Sequence, residues 1–168
     1  MAKGTVVLRI FRASEIREVR FTAAIACMST VELVTGDEMN AWADGERVVV
    51  SEGIVARCSS DDDLALVIAH ELAHNVLHHA QRLAAMGRKA ALSAADLAEK
   101  RDTEEKADEL GVRLATAAGY DLRNAPQFLT GLLDANGPDP AAGTHPATAR
   151  RLALMRTEIA AASLKRRV

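Results

Sequence analysis

A chain of 168 residues, 49% of them hydrophobic, is long enough and apolar enough for one domain with a substantial core. A formal net charge of −2, a pI near 6.2 and only 3% aromatic residues argue against a nucleic-acid platform or an anionic-membrane surface. No apolar run reaches the ~18 residues a membrane span needs, and the N-terminus lacks a signal-peptide core. Cys27 and Cys58 have no metal-motif spacing and read as small buried hydrophobes, which leaves the compartment undetermined.

In chain order, Val6-Val-Leu-Arg-Ile-Phe11 and Arg17-Glu-Val-Arg-Phe-Thr22 are β-rich runs joined by a polar link, and they predict a hairpin. The pair resembles the last two strands of a PDZ domain, the rest of which is absent. That resemblance suggests residues 1–26 as the remnant of such a domain, residues 27–168 as a second unit, and the chain as part of a longer protein. A loop through Glu32–Asp37 leads to Met39-Asn-Ala-Trp-Ala43 and Glu46-Arg-Val-Val-Val-Ser51, with Asp44-Gly45 between them as a two-residue hairpin turn. If this strand lies at a sheet edge near a catalytic helix, an extended peptide can add to it by main-chain hydrogen bonds. Asn40, Ala41 and Trp42 are the candidates to line that groove; Trp42 is equally compatible with an ordinary core position.

The central stretch follows. Ser60 and Asp63 stand at capping-box spacing, and the helix they open is apolar on nearly every side through Leu77. It carries His70-Glu71-Leu72-Ala73-His74. Residues four apart share a helix face, so the two imidazoles can converge on one tetrahedral metal while Glu71 projects toward a water. Two histidines on an apolar face are also compatible with packing alone, but buried polar groups need partners, and zinc would supply one for each. His78 cannot join them on a continuous helix, since His70 to His78 spans about 12 Å of axis at 1.5 Å per residue, and His78 and His79 read as exposed residues or as partners behind the ligands. Leu77 and Ala80 stand where a metzincin needs glycine and histidine, which excludes that class.

Beyond Ala80 the chain continues as helix or breaks near Gly87. Ser93-Ala-Ala-Asp96 opens a long charged helix expected to stop at Gly119. Glu104 and Asp108, four apart with the small Ala107 between, can supply a third metal ligand and a partner for a ligating imidazole. Glu105 and Glu109 repeat the spacing, so geometry alone leaves a one-residue ambiguity. Asn124-Ala-Pro126 starts a further helix, and a Pro/Gly-rich loop from Asn136 delivers Thr144-His145-Pro146 to a last helix carrying Arg150 and Arg151. His145 could reach the site and stabilise an oxyanion.

Taken together, His-Glu-Leu-Ala-His74, Glu104-Glu-Lys-Ala-Asp108, Ala118-Gly-Tyr-Asp121 and Thr144-His-Pro146 resemble the zinc metallopeptidase family of the HtpX heat-shock protease, the CAAX prenyl protease and periplasmic outer-membrane quality-control proteases. The resemblance covers roughly residues 37–152, and Asn40-Ala-Trp-Ala resembles the family's strand before the active-site helix. It implies an α+β, mainly helical zincin-like domain with a small antiparallel sheet. One zinc would be held by His70, His74 and Glu104. Glu71 would act as general base and acid, Asp108 would orient a ligating histidine, His145 would bind the oxyanion, and Arg151 matches an arginine that often follows the family's His-Pro.

The chain departs from the family pattern in having no transmembrane helix, a short His74–Glu104 interval and no recognisable N-terminal helix. Prenylated and membrane-embedded substrates are therefore not expected. The function implied is zinc-dependent endopeptidase action on unfolded or exposed polypeptide, with a bacterial periplasm or cell envelope suggested as the place. The alternative is a latent form or a zinc-bound chaperone or interaction module with little hydrolysis; Glu71 would be superfluous in a purely structural zinc site.

Overall fold

The computed structural model describes residues 5–12, 15–22, 29–87, 93–135 and 149–165. Two strands, β1 (Thr5–Arg12) and β2 (Glu15–Thr22), form the expected antiparallel hairpin, in register from Thr5 opposite Thr22 to Arg12 opposite Glu15. Cys27 lies outside the described residues, as does the Thr144-His145-Pro146 motif.

The sheet that bears on the site has three strands: β3 (Thr30–Val34), β4 (Ala41–Ala43) and β5 (Arg47–Ser51), in the order β3-β5-β4. The predicted turn forms one residue later than read, with Gly45-Glu46 as its two loop residues between the paired Asp44 and Arg47. Gly45 takes a φ of +102°, and Asp44 Oδ1 accepts from the backbone N–H groups of Glu46 and Arg47. β4 and β5 are therefore antiparallel, but β3 pairs with β5 in parallel. The sheet is mixed, not the purely antiparallel one expected. The hairpin places its second strand, the continuous apolar Val48-Val49-Val50, in the middle, buried on both faces, and this leaves an open edge for β3. Glu32–Val34, expected as loop, belongs to strand β3, whose Val31 and Leu33 remain exposed.

Among the described residues six helices follow: α1 (Glu52–Arg57), α2 (Asp61–Val76), α3 (His79–Ala85), α4 (Ala94–Ala117), α5 (Ala125–Ala135) and α6 (Ala149–Lys165). Ser60 caps α2 by accepting from Asp63 N–H, while the Asp63 carboxylate reaches one residue further back, to Ser59 N–H at 2.9 Å. Ser93 and Asp96 form the full reciprocal box on α4, which ends just before Gly119 at φ +103°.

The all-round apolarity of α2 has a direct explanation: the helix is packed on two sides. Val67 meets Ala41, Val48, Val50, Ile54 and Leu132 on the sheet side. Leu66 and Ala69 meet Val112, Ala115, Leu122, Ala125 and Met155 on the other. α4 crosses α2 at Ala107 and Gly111. A methyl group built on Gly111 would stand 3.0 Å from His70 Cα, so only glycine lets the two backbones approach this closely. That approach brings the carboxylates of α4 to the histidines of α2.

Candidate metal centre

His70 and His74 lie one turn apart on α2, with their Nε2 atoms 3.1 Å apart. Glu104 reaches across from α4, its carboxylate oxygens 3.4 Å from His70 Nε2 and 3.6 Å from His74 Nε2. All three potential ligand atoms lie within 4.8 Å of one another. Donors held ~2.0–2.2 Å from a tetrahedral zinc stand roughly 3.4 Å from each other, so the trio fits such an ion.

Hydrogen bonding settles which nitrogen faces the cluster. His70 Nδ1 is 3.0 Å from Asp108 Oδ1; an ionised carboxylate only accepts, so Nδ1–H donates and Nε2 is left pointing at His74 and Glu104. Burial disfavours a charged His70, but hydrogen bonds to Asp108 and Glu104 outweigh it and hold the pKa up at about 10. Two ring nitrogens and a carboxylate converging in a buried place form a cation-binding arrangement.

Asp108 is held in turn. Arg151 of α6 grips it with Nε at 2.6 Å and a terminal nitrogen at 2.9 Å, and lies 3.3 Å from Glu104. All three side chains are buried. Burial would push the Asp108 carboxyl up; Arg151 and His70 overcome this and hold it below the usual range. The register ambiguity on α4 disappears in the same contacts, since Glu105 pairs with Arg150 at 2.8 Å and Glu109 with Arg113 at 2.5 Å, on faces away from the histidines. Glu71, between the two histidines, is also buried.

β4 is an edge strand among the described residues, next to α2. Asn40 accepts from Ser51 N–H at 3.0 Å, and Asp44 donates to Arg47 O at 3.2 Å. In an antiparallel ladder the bonded pairs alternate, so Trp42 is turned to Val49, while the backbone groups of Ala41 and Ala43 point to the open edge. Ala41 faces the α2 core. Trp42 lies on the other face of the sheet, 41% exposed.

Two features, Asn75 and Ala43, escaped the sequence reading; a third, His79, was expected with His78 to be either exposed or a partner behind the ligands, and it is buried. Asn75, directly after His74, is buried and locks α2 to the β4–β5 turn, accepting from Gly45 N–H at 2.7 Å and donating to Arg47 O at 3.0 Å. Ala43 joins Ala41 on the open edge. His79 packs against His74, with the two Nδ1 atoms 3.0 Å apart. A buried polar residue flanking the histidine motif was the available signal for both Asn75 and His79. His145 lies outside the described residues, so its predicted place at the site has no geometry to report.

The sequence profile of peptidase family M48 matches residues 12–99 and 86–159. A protein of Vibrio cholerae named as a beta-barrel assembly-enhancing protease is 28% identical over 153 residues, covering 70% of this chain and 32% of the relative. The mitochondrial metalloendopeptidase OMA1 of Schizosaccharomyces pombe is 30% identical over 148 residues, covering 73% of this chain and 44% of the relative. The chain thus spans less than half the length of either relative.

Proposed function

From the premise that this chain belongs to peptidase family M48, a family of metallopeptidases, we propose that it is a zinc-dependent endopeptidase acting on unfolded or exposed polypeptide. The observation that carries this reading is the convergence of the half-buried His70 with the buried His74 and Glu104, with Glu71 on the same helix turn. His70, His74 and Glu104 would hold the ion. Zinc bound there would supply Lewis acidity, activating water near neutral pH and polarising the scissile carbonyl.

The protein's own groups do the rest. Glu71 takes the proton from the attacking water and returns it to the leaving amine. Asp108 holds His70 with Nε2 presented to the ion, and Arg151 holds Asp108. An extended substrate lies along β4, exchanging main-chain hydrogen bonds with Ala41 and Ala43, while Trp42 meets side chains on the far face of the added strand. Asn75 keeps that edge in fixed register with the histidine helix. His145, which precedes α6 in the sequence, is the proposed oxyanion donor. Residues 27–168 would be the peptidase unit, with the N-terminal hairpin outside it. The likeness to a beta-barrel assembly-enhancing protease supports a bacterial cell envelope as its place; no helix among the described residues is long and apolar enough to cross a membrane.

The test is cleavage of unfolded casein by zinc-loaded protein. Hydrolysis that a chelator abolishes and added zinc restores is the expected outcome; zinc bound at one per chain with no cleavage of any unfolded substrate would favour a non-hydrolytic zinc module. Glu104→Ala is expected to weaken zinc by more than the ~10–100-fold that loss of an outer-shell partner costs. Zinc content after dialysis measures this, and an undiminished content would move the third ligand elsewhere.

A further inference from the structure

We propose that His79 is a positioning residue for the metal centre, fixing the tautomer and ring plane of His74 so that its Nε2 is presented to the ion. This rests on the zinc-site reading above and adds to it a residue outside the histidine-glutamate motif.

The contact is direct and buried. His79 is 1% exposed, its Nδ1 lies 3.0 Å from His74 Nδ1, and the two rings meet edge-on, 77° apart in plane. A neutral imidazole that presents Nε2 as a ligand carries its proton on Nδ1, so His74 Nδ1–H must donate. His79 Nδ1 is then the acceptor, and its own proton sits on Nε2. That second nitrogen is buried and has no hydrogen-bond partner among the described residues. Buried polar atoms are rarely left unpaired, and one that is calls for an explanation. Accepting from His74 at the opposite side of the ring supplies one.

The backbone is bent to make this contact. Five residues along a straight helix turn through about 140° past one full circle, which would carry residue 79 to a different face from residue 74. α2 instead ends at Val76, and His78 takes a left-handed conformation at φ +56°, the one non-glycine with positive φ among the described residues. Such a conformation is disfavoured for a residue with a Cβ and persists where the surroundings enforce it. α3 starts immediately after, at His79, and Arg82 pins it to Glu99 and Asp102 of α4. Arg82 thus ties the helix that begins at His79 to α4, while His79 itself packs against His74 of α2.

The result is an asymmetric pair. His70 donates to a carboxylate, His74 to a neutral ring. Acceptors behind ligating histidines orient them and adjust their basicity, and their loss typically costs ~10–100-fold in metal affinity.

The experiment compares wild type, His79→Leu and His79→Asn, whose amide oxygen can stand where the acceptor nitrogen stood. Three readouts are taken: zinc affinity by competition with a chromogenic chelator, the visible spectrum of the cobalt-substituted protein, and thermal unfolding of the metal-free forms. His79→Leu is expected to bind zinc ~10–100-fold more weakly with a changed cobalt spectrum, and His79→Asn to recover most of both. If the leucine variant does not fold, His79→Gln, which sets its acceptor nearer the far nitrogen, takes its place. Wild-type affinity and spectrum in His79→Leu would overturn the proposal, as would equal losses in both variants that merely track their unfolding temperatures. Failure of the wild type to bind zinc in the same titration would instead remove the reading on which the proposal rests, and the proposal with it.

Discussion

Glu71→Gln is expected to bind zinc as wild type does and to lose hydrolysis by ~100- to 10,000-fold, the range a general acid–base group contributes. The substitution keeps the size of a buried side chain while removing its charge and its ability to take a proton. Nothing in the ligand set changes, because His70, His74 and Glu104 keep their partners in Asp108, Arg151 and the neighbouring rings. The measurement pairs turnover on unfolded casein with zinc content per chain. Unchanged turnover would take the proton-transfer role away from Glu71. Loss of zinc together with activity would mean that Glu71 supports the cluster structurally, and the variant would then say nothing about chemistry. Activity lost with zinc retained separates a peptidase from a zinc-stabilised interaction module, in which Glu71 has no task.

Local patterns were legible in the sequence; contacts that depend on how distant elements meet were not. The histidine helix, its Ser60 cap, the Ser93–Asp96 box and a turn at Gly45 are each written within a few residues, and each forms, the turn one residue later than read. Glu104 and Glu105 could not be told apart by spacing because both have a carboxylate four residues on. The choice is made by Gly111 and Ala107, which set the face α4 turns to α2, and by Arg150, which draws Glu105 to the opposite side. β3 was hidden for a related reason. Its parallel partner β5 arrives only after the chain has completed the β4 hairpin, so pairing between Thr30–Val34 and Arg47–Ser51 is non-local. Which of its two readings His79 takes, exposed or behind a ligand, was hidden by the left-handed turn at His78, since helical periodicity assigns residues 74 and 79 to different faces.

Replacing Arg151 by Met is expected to destabilise the protein by about 3–5 kcal/mol, the usual cost of breaking a buried ion pair from one side. Arg151 is buried, yet its two short contacts to Asp108 and its approach to Glu104 hold it charged. Burial alone would lower its pKa; the carboxylates raise it. Without it, Asp108 and Glu104 share a low-dielectric site with His70 as the nearest compensating group. For a chain of this length each kcal/mol shifts the unfolding midpoint by ~2–4 °C, so the loss is visible in thermal and denaturant unfolding alike. The pH dependence carries the same signature. Asp108 has its pKa depressed in the folded state, so its contribution is fully present above its ordinary value near ~3.9 and is lost as pH falls through the folded value. Removing Arg151 moves the folded value back toward the unfolded one and flattens the acid limb of the stability profile. The double variant Arg151→Met with Asp108→Leu separates stability from positioning: replacing both partners by apolar groups is expected to restore much of the stability, as such exchanges often do. His70, left with no acceptor at Nδ1, is expected to bind zinc more weakly even so. A single variant within about 1 kcal/mol of wild type, or a double variant with unaltered zinc affinity, would show that the line from Arg151 through Asp108 to His70 does not support the site.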